Sequence, residues 1–349
     1  MGRILFCKMT KSICIVRLSA LGDVLMLVPL VRTLQTSLPD AKVTWVISRP
    51  AYDLVEGMDG VEFVVIDKPN GLMDYWRFKQ LMRGRHFDVL LATQASFRAN
   101  LLYACIRAVR KIGYDPVRAK DGHGWFIHET IAPGNDHTLD GFLRFADALG
   151  ITGEKQIRWD LPIQETDYAW ARSHLPAVSG PVCLVNPAAS KPERSWSAER
   201  YIDVIKYMQT RWQACVILVG GPGAYDRALG DDILEHVSVV DLIGKTKPKQ
   251  LLALISLADL LLCPDTGPSH MGAAVATPVV ALHAVTSAEV SGPYTYRHFS
   301  VDCYSEAVRT ILKKTPSTNV WGTHAHGEET MNLVTVDAVI TKLDMVYEM

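Results

Sequence analysis

The chain has 349 residues, room for two domains of ordinary size, and 48% of them are apolar against 21% charged, the balance of a globular protein with a full core. The formal net charge of −1 carries no overall basic signature of nucleic-acid binding. Seven cysteines, an odd number without any Cys-x-x-Cys pair, point to a reduced, cytoplasmic compartment rather than a disulfide framework. No apolar run approaches the ~20 residues needed to span a bilayer. Residues 1–11 are too short in their apolar part for a signal peptide and read as an extension before the first strand.

In chain order, a first strand is expected over 13–18, followed by the polar turn Ser19-Ala20-Leu21-Gly22-Asp23 and a long apolar helix over 24–38, which Pro29 should bend or delay. Strands over 43–47, 63–66 and 89–92 alternate with helices over 74–83 and 99–107. A short strand over 111–113 and a helix over 139–149 close this series. The join falls between 150 and 180, where 159–162 and 176–181 punctuate the chain with proline. A second series follows, with strands over 182–185, 214–219, 239–242, 259–262 and 279–282 and helices over 198–210, 225–236 and 248–257. Residues 313–329 read as a polar loop, and a final helix over 336–346 is expected to pack back across the domains. Strand–helix alternation in units of ~30 residues predicts an α/β fold of two Rossmann-like domains with parallel sheets, over 1–165 and 166–335, with 336–349 as the closing helix.

Two turns stand out chemically. Cys263-Pro264-Asp265-Thr266-Gly267-Pro268-Ser269-His270 links an apolar strand to a small-residue helix beginning near Met271. A strand, a polar turn and a helix N-terminus form an anion site, because the first helical N–H groups lack partners and the helix dipole favours negative charge. Asp265 suits a sugar or ribose hydroxyl beside it; an ordinary turn with Asp265 or Thr266 as the cap is the alternative. The earlier turn offers Gly22 for close backbone approach and Asp23 at a helix start, as an ionised carboxylate for chemistry or as a plain cap. Arg98, Arg107, Arg110, Lys111, Arg118 and Lys120 form a basic cluster suited to an anionic acceptor or to solvent.

Other motifs fail on spelling. Gly244-Lys245-Thr246 lacks the upstream glycine of a P-loop, and Gly220-Gly221-Pro222-Gly223 is not the dinucleotide fingerprint. The segment from Gly267 to Gly272 is one residue too long for a nucleophile elbow. His324-Ala325-His326 has no cysteine near it to complete a metal site.

Together the two turns resemble the ADP-heptose lipopolysaccharide heptosyltransferases, glycosyltransferase family 9. The resemblance rests on Ser19, Gly22 and Asp23, on Asp265-Thr266-Gly267-Pro268-Ser269-His270, and on Trp196 in Lys191-Pro192-Glu193-Arg194-Ser195-Trp196. It runs from about residue 11 to about residue 335. Residues 94–100 and 110–115 look most like the heptosyltransferase I branch.

That resemblance implies a GT-B fold, two Rossmann-like domains whose parallel sheets face across a cleft. The first would bind the acceptor and the second the nucleotide sugar. It implies inverting transfer of L-glycero-D-manno-heptose from ADP-heptose onto Kdo of the lipid A inner core. Asp23 would be the general base, with Arg194 and Lys191 receiving the departing diphosphate beside the Thr266-Gly267 helix start. Arg194 stands where the family carries a basic residue two positions before the tryptophan. Gly221, Thr246, Asp265 and His270 would complete the donor site. The family's glutamate after the glycine turn is absent, which leaves Asp226 as the nearest carboxylate. Arg49, Arg98, Lys120 and His137 would meet the acceptor's phosphate and carboxylate. No Asp-x-Asp occurs, so neither metal nor cofactor is expected. A lipid acceptor implies peripheral residence on the inner face of the inner membrane. Residues 75–83 mix aromatic and basic side chains suited to that interface, or simply form an amphipathic helix over the sheet. The rival readings are transfer to another core sugar or from another nucleotide sugar, and a non-catalytic two-lobed binding protein.

Overall fold

The structure is a computed structural model in which residues 10–177 and 179–349 are described; the expected extension over 1–9 lies outside them. The chain divides into two compact units, Met1–Pro162 and Ile163–Met349.

The first unit carries β1 (Ser12–Val16), β2 (Lys42–Ser48), β3 (Val61–Ile66), β4 (Phe87–Leu91), β5 (Ala108–Gly113) and β6 (Glu129–Thr130), with helices α1 (Leu21–Ser37), α2 (Arg49–Val55), α3 (Leu72–Leu81), α4 (Phe97–Cys105) and α5 (Thr138–Ala148). The strands pair in parallel in the order β3-β2-β1-β4-β5-β6. Ile13, Cys14, Ile15 and Val16 of β1 are fully buried, as expected of a central parallel strand covered on both faces. The connections run one way from β1 to β3 and the other way from β4 to β6. Right-handed crossovers therefore set α1 and α2 on one face and α3 and α4 on the other.

Pro29 does not break α1. The helix runs unbroken from Leu21, three residues earlier than its apolar run suggests. Proline removes the N–H that would bond the Leu25 carbonyl four residues back. The Trp159 indole N–H donates to that carbonyl instead, at 2.9 Å. Arg32 returns the contact through Nε to the Trp159 carbonyl at 3.1 Å. The last segment of the unit thus supplies the hydrogen bond its first helix lacks.

The second unit repeats the plan. Its strands β7 (Val182–Val185), β8 (Cys215–Leu218), β9 (Val240–Asp241), β10 (Leu260–Pro264), β11 (Val279–His283) and β12 (Val301–Asp302) pair in parallel as β12-β11-β10-β7-β8-β9. Its helices are α6 (Glu165–His174), α7 (Ala198–Trp212), α8 (Ala224–Leu234), α9 (Pro248–Ser256), α10 (Gly267–Ala274), α11 (Ala288–Ser291), α12 (Tyr304–Thr310) and α13 (Val336–Tyr347). The stretch expected as a proline-punctuated join contains α6, which packs on α9. The closing helix α13 packs on α7: the Trp212 and Tyr347 rings stack at 4.6 Å, and the Tyr207 hydroxyl donates to Asp344 at 2.8 Å. α10 begins at Gly267, not near Met271, and a Cβ on Gly272 would collide with Val279, so glycine allows that helix to lie against the sheet.

A double-mutant cycle tests the Pro29 account. Trp159→Phe should destabilise the first unit by about 1–3 kcal/mol, the cost of an unsatisfied buried carbonyl. In a Pro29→Ala background the restored helical N–H should remove much of that loss. Urea denaturation of the four proteins reads the coupling; strictly additive losses would rule out the shared carbonyl.

Candidate functional site

Each sheet reverses its winding direction between two central strands, and open α/β sheets bind ligands beyond the carboxyl ends at such a switch point. In the first unit the reversal lies between β1 and β4. Asp23 sits just past β1, in the first turn of α1. One carboxylate oxygen, Oδ2, accepts from the Ala20 N–H at 3.0 Å and pairs with the Arg17 guanidinium. The Asp23 Oδ1 has no partner among the described residues, and the side chain is 30% exposed. The carboxylate is therefore oriented by one oxygen and open through the other.

Arg17 reaches across the reversal. Its Nη1 donates to the Thr93 carbonyl, past the end of β4, at 2.7 Å. Its guanidinium lies 5.3 Å from the centre of the Phe142 ring. Burial opposes its charge, but the Asp23 carboxylate together with the Tyr114 and Tyr103 hydroxyls outweighs it and the net shift is upward. Gln94 accepts from the Leu18 N–H at 2.8 Å, a second tie between the two strand ends.

The second unit's reversal lies between β7 and β10. Asp265 follows β10 and is buried; its Oδ2 accepts from the Thr286 hydroxyl at 2.7 Å, from Arg194 at 3.3 Å and from Ser291 at 3.5 Å. Its Oδ1 has no partner among the described residues. Arg194 follows β7 and also donates to the Ser190 hydroxyl at 2.8 Å. The Arg194 Nε is buried without a hydrogen-bond partner among the described residues. Trp196 holds this loop: it is buried, its indole donates to the Val334 carbonyl at 3.0 Å, and it packs edge-on against Tyr201. Thr266 occupies the N-cap position of α10 without a side-chain capping bond, and His270 is buried in the helix's first turns. Burial would raise the Asp265 carboxyl's pKa. The charge of His283, the Thr286 hydroxyl, and the charges of His270 and Arg194 outweigh it and hold the pKa below its ordinary value.

The remaining donor candidates lie on loops after neighbouring strands. Lys191 is exposed, and Arg194 donates its N–H to the Lys191 carbonyl at 3.0 Å. Gly221 is exposed after β8, and its N–H donates to Asp226 Oδ1 at 2.8 Å, so that carboxylate oxygen already fastens the glycine turn. Thr246 is half-buried after β9. His324 and His326 have their rings 5.4 Å apart, and His326 meets Glu193, the residue before Arg194, at 3.2 Å. No group of three or more potential ligands gathers for a metal among the described residues.

The acceptor candidates fare unevenly. Arg49, the first residue of α2, is exposed, as are Arg98 and Lys120. His137 is buried, and its Nδ1 accepts from the Leu139 N–H at 3.1 Å, capping α5. The basic cluster is not one open face. Arg110 grips Glu129 at 2.6 Å, Arg118 grips Asp115 at 2.6 Å, and Lys111 donates to the Tyr103 carbonyl at 2.7 Å. Lys120 lines a cavity of about 310 Å³ with Tyr114, Asp121, His123 and Ile127. Burial drives the pKa of His123 down to about 4. The neutral ring bridges Asn100 at 2.8 Å and the Tyr114 N–H at 3.1 Å.

The sequence did not single out Arg17, Ser190, Thr286 or Ser291, and Gln94 stood out only as the first residue of the 94–100 stretch. Arg17 was legible only as the polar residue inside an apolar strand. Thr286 and Ser291 lie 21 and 26 residues beyond Asp265 and carry no motif.

Two Rossmann-like units, each with charged groups at its switch point, make the architecture of GT-B glycosyltransferases, and comparison with known proteins gives the chain its class. The family model for glycosyltransferase family 9 (heptosyltransferase) matches residues 75–318. A curated relative, lipopolysaccharide core heptosyltransferase OpsX of Haemophilus influenzae, is 32% identical over 97% of this chain and 98% of its own. The chain belongs to glycosyltransferase family 9. Among solved structures, the family 9 glycosyl transferase of Veillonella parvula aligns with a TM-score of 0.78 at 20% identity, covering 96% of this chain and 97% of that one. Escherichia coli heptosyltransferase WaaC with ADP aligns at 0.72 and 18%, covering 96% and 99%.

The Asp265 network makes a pH prediction. A carboxyl whose folded pKa is depressed contributes stability above its unfolded value, and loses it as pH falls through the folded one. Asp265→Asn should therefore be less stable than the parent near pH ~5, where the carboxylate is ionised and the neighbouring histidines are charged, and the margin should close below about pH 4. Chemical denaturation of both proteins across that range measures it. A margin that widened on acidification would contradict the sign.

Proposed function

We propose that this enzyme transfers L-glycero-D-manno-heptose from ADP-heptose to Kdo of the lipid A inner core in lipopolysaccharide biosynthesis. The proposal includes inversion at the anomeric carbon, no requirement for a metal, and peripheral residence on the inner face of the inner membrane. The observation that carries it is the pair of half-used carboxylates, Asp23 and Asp265, at the switch points of a family 9 chain. The relative's name as a lipopolysaccharide core heptosyltransferase supports the substrate class. No helix among the described residues is long and apolar enough to cross a membrane.

In this reading the open oxygen of Asp23 takes the proton of the acceptor hydroxyl as the acceptor's hydroxyl oxygen bonds to the anomeric carbon. The bond from that carbon to the diphosphate breaks, and its electron pair leaves with ADP. The Arg194 guanidinium receives the growing negative charge with Lys191 and the Thr266 and Gly267 N–H groups at the start of α10. Asp265 accepts hydrogen bonds from the heptose hydroxyls through its open oxygen and braces Arg194 through the other. Gly221, Asp226, Thr246 and His270 belong to the donor side. Arg49, Arg98, Lys120 and His137 belong to the acceptor side, His137 by fixing α5 and the others by charge.

Incubation with ADP-heptose and a Kdo-lipid A acceptor, read by mass, is the primary test. Mass gain only on an acceptor already carrying heptose would move the reaction to another core sugar. Asp23→Asn should lower turnover about 10²- to 10⁴-fold with ADP-heptose affinity little changed; near-parental turnover in a folded variant would remove Asp23 as the base. Activity should also survive exhaustive EDTA. Loss of activity that only magnesium or manganese restores would overturn the metal-free leaving-group scheme.

A further inference from the structure

One face of the first sheet is covered by a layer whose outer rim is apolar. α3 buries Phe78, α4 buries Ala99, Leu102 and Tyr103, and Phe126 and Ile127 pack beside them on the same core. Outside that layer Leu72 is 87% exposed, Trp76 57%, Phe97 63% and Trp125 89%, with Met73 and Val117 also exposed. Apolar residues exposed singly are ordinary, whereas a contiguous group marks a surface that meets something. Leu72, Met73 and Trp76 belong to the N-terminal half of α3, Phe97 begins α4, and Val117 and Trp125 follow β5. These positions succeed β3, β4 and β5, so they lie toward the carboxyl edge of the sheet, the edge that carries Asp23 after β1.

Hydrogen bonds join the pieces into one platform. The Tyr75 hydroxyl on α3 donates to the Arg98 carbonyl on α4 at 3.4 Å. The Phe97 N–H donates to Asp121 at 2.9 Å, and Asn100 donates to the Lys120 and Asp121 carbonyls at 3.2 and 2.9 Å. Lys68, Arg77, Lys79, Arg98 and Lys120 are exposed on the same segments as the apolar side chains. The carboxylates nearby are Asp67, Asp74 and Asp121; Asp74 is engaged by the Asn70 N–H and Arg77, and Asp121 by Phe97. The rim therefore presents aromatic and aliphatic side chains within a net positive border. Tryptophan and lysine or arginine in this arrangement suit the headgroup region of a bilayer, where the rings bury apolar area and the cations meet lipid phosphate. A second copy of the same rim would bring like charges together.

We propose that this rim docks the enzyme on an anionic phospholipid surface. Docking there holds the Asp23 edge of the first unit at the bilayer, where a lipid-borne acceptor presents its sugar; this last step rests on the proposed function.

Sedimentation of the full-length protein with phosphatidylcholine vesicles, with and without one quarter phosphatidylglycerol, tests the surface without donor or acceptor. The parent protein should bind the anionic vesicles, weakly or not at all the neutral ones, and less as salt rises. Trp76→Ser with Trp125→Ser should reduce that binding about tenfold or more. The same variant should keep its turnover on a delipidated Kdo acceptor within about twofold of the parent, while losing turnover on vesicle-borne acceptor. Parent protein that ignores anionic vesicles, or a variant that binds them equally, overturns the proposal. Loss of self-association instead of vesicle binding in the variant would make the rim a contact between copies and also overturn it. If vesicle binding behaves as expected but no acceptor is turned over, the functional reading fails and the docking surface stands.

Discussion

The reversal of winding at the centre of each parallel sheet is the constraint from which the rest follows. β1 and β4 in the first unit, and β7 and β10 in the second, are neighbours whose chains depart in opposite directions. No crossover helix closes the space beyond their ends. The first polar residues after such strands meet there, whatever their separation in sequence. Arg17 reaches a carbonyl 76 residues later, and Arg194 pairs with a carboxylate 71 residues later.

Both meetings share one electrostatic form. A carboxylate is oriented by an arginine through one oxygen and left open through the other. A buried ion pair gains little net stability, because desolvation offsets the attraction. It does fix the geometry of the open oxygen, as a catalytic or binding group requires. The Asp265 pair is the more deeply enclosed, and Thr286 and Ser291 add the hydrogen bonds that make an ionised carboxylate tolerable there. Arg194 is less saturated, with a buried donor still unpaired among the described residues.

Two tryptophans show how distant segments hold these loops. Trp159 repairs the helical hydrogen bond removed by Pro29, and so keeps α1, which carries Asp23, in one piece. Trp196 anchors the turn bearing Lys191 and Arg194 to residue 334 near the end of the chain. Neither indole touches the carboxylates, yet each fixes the backbone that presents one.

The repeating strand–helix period was enough to establish the class of fold, because burial on both faces of a parallel sheet demands uniformly apolar strands, and those are legible locally. The turns ending in Asp23 and at Asp265 were legible for the same reason: a short polar run between an apolar strand and a helix is where a parallel α/β sheet turns its chain outside the core. Helix starts were less legible. Leu21 and Gly267 begin helices that their apolar runs do not announce, because residues of the polar turn itself enter the first helical turn. The expected effect of Pro29 depended on a tryptophan 130 positions away. The basic cluster was visible as composition, but only folding decided that Arg110, Lys111 and Arg118 would be consumed by internal partners while Arg98 and Lys120 stayed exposed. Charge along a chain is a local property. Whether a charge is free depends on which groups the tertiary structure brings within hydrogen-bonding distance, and that alone selected Arg17, Thr286 and Ser291 as the companions of the two carboxylates.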